Sequence, residues 1–322
     1  MIKNLFALFI GLLISIILAE LFLRLLNVTP LEKFNNQEIP VMLWAQEDPI
    51  YGWKNKVGEA LSPEKSDVIM DFNSDNSRFD PNFKKNKKNI LVLGCSYPAG
   101  FSLSNNLTFS SILSKNSDYN FINFSVPGYS NYQNLLQLKE KIKENYSTIL
   151  IFFLDHHLQR NVSNYEYSKF LRVPDGGYII APHLIKDKDK FIHIDSSVER
   201  PWLFEHHSSL IHFIHTAFNK FKFDVDEKIQ FQIAEYIFNE MLDLANEYKK
   251  KIYFIGLEYD DEYSNIFSNS SFKFIDCRIN KSKGWKNGGV PLNFRIDNLM
   301  KHPNEKAHIY WANCIQDNVF NN

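Results

Sequence analysis

The chain has 322 residues, 44% of them hydrophobic, and its 36 Lys plus Arg nearly cancel 37 Asp plus Glu. That content supports a packed domain rather than a disordered chain, and the charge balance leaves no electrostatic footprint for a nucleic-acid partner. Cys95, Cys277 and Cys314 are widely spaced and lack a CxxC pair, which excludes a zinc cluster or a dense disulfide framework. At most one disulfide fits, and Cys277 and Cys314 read as small buried hydrophobes.

In chain order, the first predicted element is the run LFALFIGLLISIILAELFL, Leu5 to Leu23, flanked by Lys3 and Arg24 and carrying one charge, Glu20. It is long enough to cross a bilayer core. Residues 1–27 are expected to be an uncleaved membrane anchor. A cleaved signal peptide competes, although no small-x-small cleavage pattern stands out. The short head before the span favours an extracytoplasmic position for the rest of the chain. Residues 28–88 carry Pro30, Pro40, Pro49, Pro63 and Pro81 and read as a stalk and irregular lead-in.

From 89 to 322 short apolar runs alternate with helical stretches, the pattern of a mostly parallel sheet covered by helices. Strands are expected at Asn89–Leu93, Phe121–Phe124, Thr148–Leu154, Lys251–Leu257 and Phe272–Ile275. Ser130 with Gln133 has the spacing of a capping box before Leu135, Leu136, Leu138 and Ile142. A long helix from about Lys228 to Lys250 shows Ile229, Ile233, Ile237, Met241, Leu244 and Tyr248 at helical spacing. The expected fold class is α/β, a three-layer α/β/α sandwich whose site lies at the carboxyl ends of the strands, behind an N-terminal transmembrane helix.

Ser96 follows the first strand directly, in NILVLGCSYPAG, where such a sheet presents reactive groups. His302 opens HPNEKAHIYWA just before a final helix, where it can take the Ser96 proton. Asp297, five residues earlier, is the candidate to orient the imidazole. His308 is expected to pack within that last helix. No cofactor and no metal is expected: His206, His207, His212 and His215 come without an H-E-x-x-H pattern and read as packing or surface residues.

Taken in order, ILVLGCSYPAG, SVPGYSNYQ, FFLDHHLQRN and HPNEKAH resemble the blocks of the SGNH/GDSL hydrolase family, particularly its membrane-anchored bacterial branch. The upstream NSDNSR resembles that branch's N-x-x-G-x-R lead-in, with Asn76 in place of glycine. The resemblance covers most of residues 70 to 318 and implies a flavodoxin-like SGNH fold. By position it makes Ser96 the nucleophile and an oxyanion donor, and Gly128 a second donor. The third block supplies an Asn donor in the family, whereas Asp155 stands at that place here. A carboxylate cannot donate, which leaves His156, His157 or Asn161, a protonated Asp155, or only two donors. Arg160 and Asn161 are candidates to anchor a substrate carboxylate or sugar hydroxyl. Cys95 replaces the GDS aspartate, and Leu299 stands where the family writes the acid of D-x-x-H.

The resemblance implies a serine esterase or acyltransferase working through an acyl-Ser96 intermediate on O-acyl groups, such as acetyl, of envelope glycans. The alternative is a catalytically degenerate domain that binds glycan or assists envelope assembly. A thiol enzyme using Cys95 is a third reading.

Overall fold

The computed structural model describes residues 2–33, 44–62, 68–268, 271–281, 289–296 and 302–321. Helix α1 (Ile2–Leu25) is long and apolar enough to cross a membrane, and none of its most apolar stretch is buried. Its one acid, Glu20, binds elsewhere in the chain: the carboxylate accepts from the Ser208 hydroxyl and from the Ser209 and Leu210 N–H groups. Arg24 reaches the His207 carbonyl at 2.9 Å.

Within the lead-in expected to be irregular, two small hairpins form. Strands β1 (Ala45–Asp48) and β2 (Gly52–Asn55) pair antiparallel, as do β3 (Gly58–Leu61) and β4 (Ile69–Phe72). Each strand is four residues long, too short for alternation to register against the proline background. Trp53, Met70 and Phe72 nevertheless form a core with Phe101, Val126 and Tyr129. Asn76 has φ +68°, the left-handed region that asparagine tolerates and glycine adopts freely, which accounts for Asn in the glycine place of the lead-in motif. The turn aims Arg78 inward, where its guanidinium donates to Asn105 and the Leu103 carbonyl.

The central sheet follows. Strand β5 (Lys88–Leu93) leads through α2 (Ser96–Ala99) and α3 (Phe109–Asn116) to β6 (Tyr119–Asn123). Helix α4 (Asn131–Lys141) then leads to β7 (Tyr146–Leu154) and α5 (His157–Asn161). An excursion carries β8 (Tyr178–Ile180), β9 (His183–Asp187), β10 (Lys190–Ile194) and β11 (Ser197–Glu199), paired β8 with β11 and β9 with β10. Helices α6 (Ser209–Phe223) and α7 (Glu227–Glu247) precede β12 (Lys251–Glu258) and β13 (Phe274–Asp276), and α8 (Glu305–Ile315) closes the fold.

The five-stranded sheet has the order β13-β12-β7-β5-β6, with every pair parallel. Its period-2 side chains divide into two cores. Leu91, Leu93, Ile149, Ile151 and Phe153 meet α4 and α7 on one face, while Ile90, Val92, Leu150, Phe152 and Leu154 meet α3 and α8 on the other. This is the expected α/β/α layering. The capping box at Ser130 and Gln133 is formed, and Ile233, Ile237 and Met241 of the α7 stripe are fully buried.

Cys277 and Cys314 are joined in a disulfide, correcting their reading as separate buried hydrophobes. Sequence spacing carried no sign of it. The bond ties the turn after β13 to the end of α8, and closing a loop of 37 residues stabilises the fold by roughly 3–4 kcal/mol in the chain-entropy model.

Candidate active site

The chain leaves β5 for the edge strand β6 and returns past it to β7, so the strand order reverses between the carboxyl ends of β5 and β7. Open α/β sheets form their crevices at such a point. Ser96 stands there as the first residue of α2, only 6% exposed. The turn closes at Gly100, whose φ is +67° and where an added Cβ would lie 2.5 Å from Thr108 Cγ2. Gly128, on the loop after β6, has φ +85° and faces the Trp53 ring from the lead-in hairpin. Among the described residues, no backbone acceptor takes the N–H of Ser96 or of Gly128.

His302 reaches this end of the sheet from the last segment. The Ile296 N–H donates to the His302 carbonyl at 2.8 Å, and Arg295 bridges to Pro303. The Asn304 side chain accepts from the Lys306 and Ala307 N–H groups and so caps α8. The His302 ring consequently lies 6.0 Å from the Tyr97 ring and 5.0 Å from Phe101, the residues that follow Ser96 along the chain. Asp297 lies outside the described residues. His308 packs in α8 as expected: it is fully buried, and its Nδ1 accepts from the Phe109 N–H at 3.0 Å. Burial, with Arg78 nearby, pushes this imidazole down to about 3.

The third block supplies several buried polar groups. His156 lies with its ring centroid 6.3 Å from Tyr97 and 5.1 Å from His157. Burial, and then the charges of Arg160, His157 and His302, hold its pKa well below the imidazole range, so it is neutral near pH 7. A neutral imidazole carries one N–H donor, which a carboxylate lacks. His157 is fully buried and likewise held neutral by burial and Arg160. Asp155 ends β7 and its N–H donates to the Glu258 carbonyl at 2.9 Å. Arg160 donates to the Tyr129 carbonyl and sits over the Tyr167 ring.

Asn161 has a different place from the one expected. It is fully buried and its Oδ1 accepts from the Tyr132 N–H at 3.1 Å, tying α5 to the first turn of α4. A side chain without exposed surface does not anchor a substrate in this conformation. Cys95 is also fully buried, and burial raises its thiol against the opposing influence of Arg160, the Tyr97 N–H and Ser96. That is the reverse of what an activated thiolate needs.

Two residues were missed by sequence reasoning. The Tyr97 hydroxyl is hydrogen-bonded to Glu258, whose Oε1 also accepts from the Val290 N–H at 2.6 Å. Burial and the neighbouring Asp155 raise the Glu258 carboxyl to about 7, against the hydrogen bonds from Tyr97 and Val290. An acid closing the apolar run IYFIGLE at a strand's carboxyl end was the available signal.

No family model and no curated relative matches the chain. Among solved structures, it is similar to TesA, at 13% identity and TM-score 0.39 over 73% of this chain and 99% of that one. A member of the lipolytic protein G-D-S-L family from Veillonella parvula gives 12% identity and TM-score 0.34 over 73% and 98%. A catalytic mutant of Axe2, an acetylxylan esterase from Geobacillus stearothermophilus, gives 12% and 0.37 over 74% and 97%. Likeness at this level carries no statement about activity.

Proposed function

We propose that the protein is a serine esterase or acyltransferase of the SGNH type that forms an acyl-Ser96 intermediate, with His302 as general base and acid. The observation that supports this reading is the packing of the His302 ring on Tyr97 and Phe101, in the turn that Ser96 opens at the strand-order switch. Ser96 Oγ attacks the ester carbonyl as His302 takes its proton. The N–H groups of Ser96 and Gly128 then stabilise the oxyanion, and the neutral His156 ring N–H stands in for the missing amide donor. His302 returns the proton to the departing alcohol, and water or a sugar hydroxyl accepts the acyl group. Asp297 is the proposed orienting acid, and Arg160 the proposed contact for substrate polar groups.

The substrates proposed are O-acyl groups, acetyl among them, on extracytoplasmic glycans. The Cys277–Cys314 disulfide supports an oxidising compartment. The Glu20 contacts to residues 208–210 support retention of α1 as an anchor, because a removed leader has no reason to complete a helix N-terminus of the mature domain.

The test is labelling of the full chain in detergent with a serine-reactive fluorophosphonate. Labelling is expected in the native protein and lost in Ser96→Ala and His302→Ala. A well-folded native protein that takes no label would move the assignment to a non-catalytic glycan-binding domain.

A further inference from the structure

Cys95, His156 and His157 form a group of which the proposed acyl transfer uses only His156. One ligand atom from each lies within 4.8 Å of the others. The three come from two adjacent parallel strand ends, Cys95 just after β5 and both histidines just after β7.

The tautomer of His157 follows from its neighbour. Asn131 Nδ2 donates to the Phe152 carbonyl at 3.0 Å, which fixes the amide so that Oδ1 faces His157 Nδ1, 2.9 Å away. An amide oxygen only accepts, so Nδ1 of His157 carries the proton and Nε2 presents a bare lone pair. That Nε2 is fully enclosed and meets no donor. Leaving a buried acceptor unsatisfied is costly, and such a group calls for an occupant. An N–H fixed on a carbonyl oxygen, with the opposite nitrogen bare, is the arrangement of a metal-ligating imidazole. Asp155 Oδ1 lies 3.9 Å from His156 Nδ1, too far for a hydrogen bond, so the His157 tautomer alone carries this argument.

We propose that Cys95, His156 and His157 bind a borderline divalent cation, Zn²⁺ foremost. One thiolate and two imidazoles suit Zn²⁺ and Co²⁺ and exclude the oxygen-seeking Mg²⁺ and Ca²⁺. Tetrahedral Zn–S and Zn–N bonds place ligand atoms roughly 3.3–3.6 Å apart, so the group draws in by about an ångström on binding. The cation replaces the Cys95 thiol proton, which leaves to solvent. This departs from the sequence expectation of no metal. If the proposed esterase reading holds, the bound cation also takes His156 from the oxyanion, making the site inhibitory; that consequence rests on the esterase reading, whereas the binding itself does not.

The test is titration of the full-length, chelator-stripped protein in detergent with Co²⁺. The expected result is one Co²⁺ per chain, with a near-ultraviolet thiolate-to-cobalt band and visible bands of tetrahedral intensity, displaced by Zn²⁺. Cys95→Ser should abolish the near-ultraviolet band and His157→Gln should weaken binding at least tenfold. Asn131→Leu, which frees the His157 tautomer without touching a ligand, should weaken it about 10- to 100-fold. Circular dichroism checks that each variant is folded. Absence of the thiolate band in native protein, or binding that survives Cys95→Ser and disappears with His212→Gln, overturns the assignment. Neither readout depends on ester turnover, so failure of the esterase reading leaves the test intact.

Discussion

Two buried polar clusters in this molecule use the same residue types to opposite ends. Beside α6, Glu205 is 2% exposed, and its carboxylate accepts from His212 Nδ1 at 2.8 Å, His215 Nδ1 at 2.6 Å and the Trp202 N–H at 2.7 Å. Burial works against its ionisation, yet the His212 and His215 hydrogen bonds prevail and hold it at about 2. At the strand ends, burial prevails instead: Glu258 rises to about 7 and His156 and His157 fall toward neutrality. Where pairing satisfies the charges, the cluster ties structure together. Where burial shifts groups toward their neutral forms at the strand-order switch, the arrangement suits chemistry near pH 7.

The sharpest way to break this contrast is His156→Ala. Loss of one oxyanion donor should lower kcat about 100- to 1000-fold with a smaller change in KM, measured on small acyl esters once an active preparation is labelled. An unchanged kcat would remove His156 from the oxyanion. At the other cluster, Glu205→Gln should leave turnover alone and destabilise the fold by about 1–3 kcal/mol, read by urea denaturation at pH 7. Because Glu205 is held below its ordinary value of 4.5, its contribution is present above that pH and lost as pH falls toward about 2. The native protein should therefore lose stability across this window more steeply than the variant.

Glu258→Gln should act in the opposite sense. Its folded value of about 7 lies above the ordinary 4.5, so native stability declines as pH rises from 4.5 through 7. The variant should be more stable than the native protein by about 3 kcal/mol at pH 8 and nearly equal to it at pH 4.5, measured by thermal unfolding. A variant less stable at pH 8 would show that the Tyr97 and Val290 hydrogen bonds need the carboxylate.

The sheet was legible because its strands are long, apolar and buried on both faces; β5, β6, β7 and β12 lie within three residues of their expected ends. The capping box and the α7 stripe were legible because both follow from local spacing. The lead-in hairpins were hidden because four-residue strands owe their stability to long-range partners such as Trp53 with the Pro127 carbonyl. The disulfide was hidden because residues 37 apart are brought together only when α8 packs on the sheet. At the proposed site, the placement of Ser96, Gly128 and His302 next to strand ends and turns was readable from the sequence. The roles of Asp155, His156 and Asn161 were not, because a shift of one residue past a strand end exchanges a crevice position for a buried one.

The Glu20 contacts at the start of α6 have a mechanical consequence. The one carboxylate on a mostly apolar helix of 24 residues, roughly 36 Å long, is bound to three donors of the head, with Arg24 clasping a fourth group. In a bilayer such a helix is a handle rather than a string. If α1 is retained as the proposed anchor, a span of fixed length accommodates a change of membrane thickness by tilting, and a head gripped at that point leans with it.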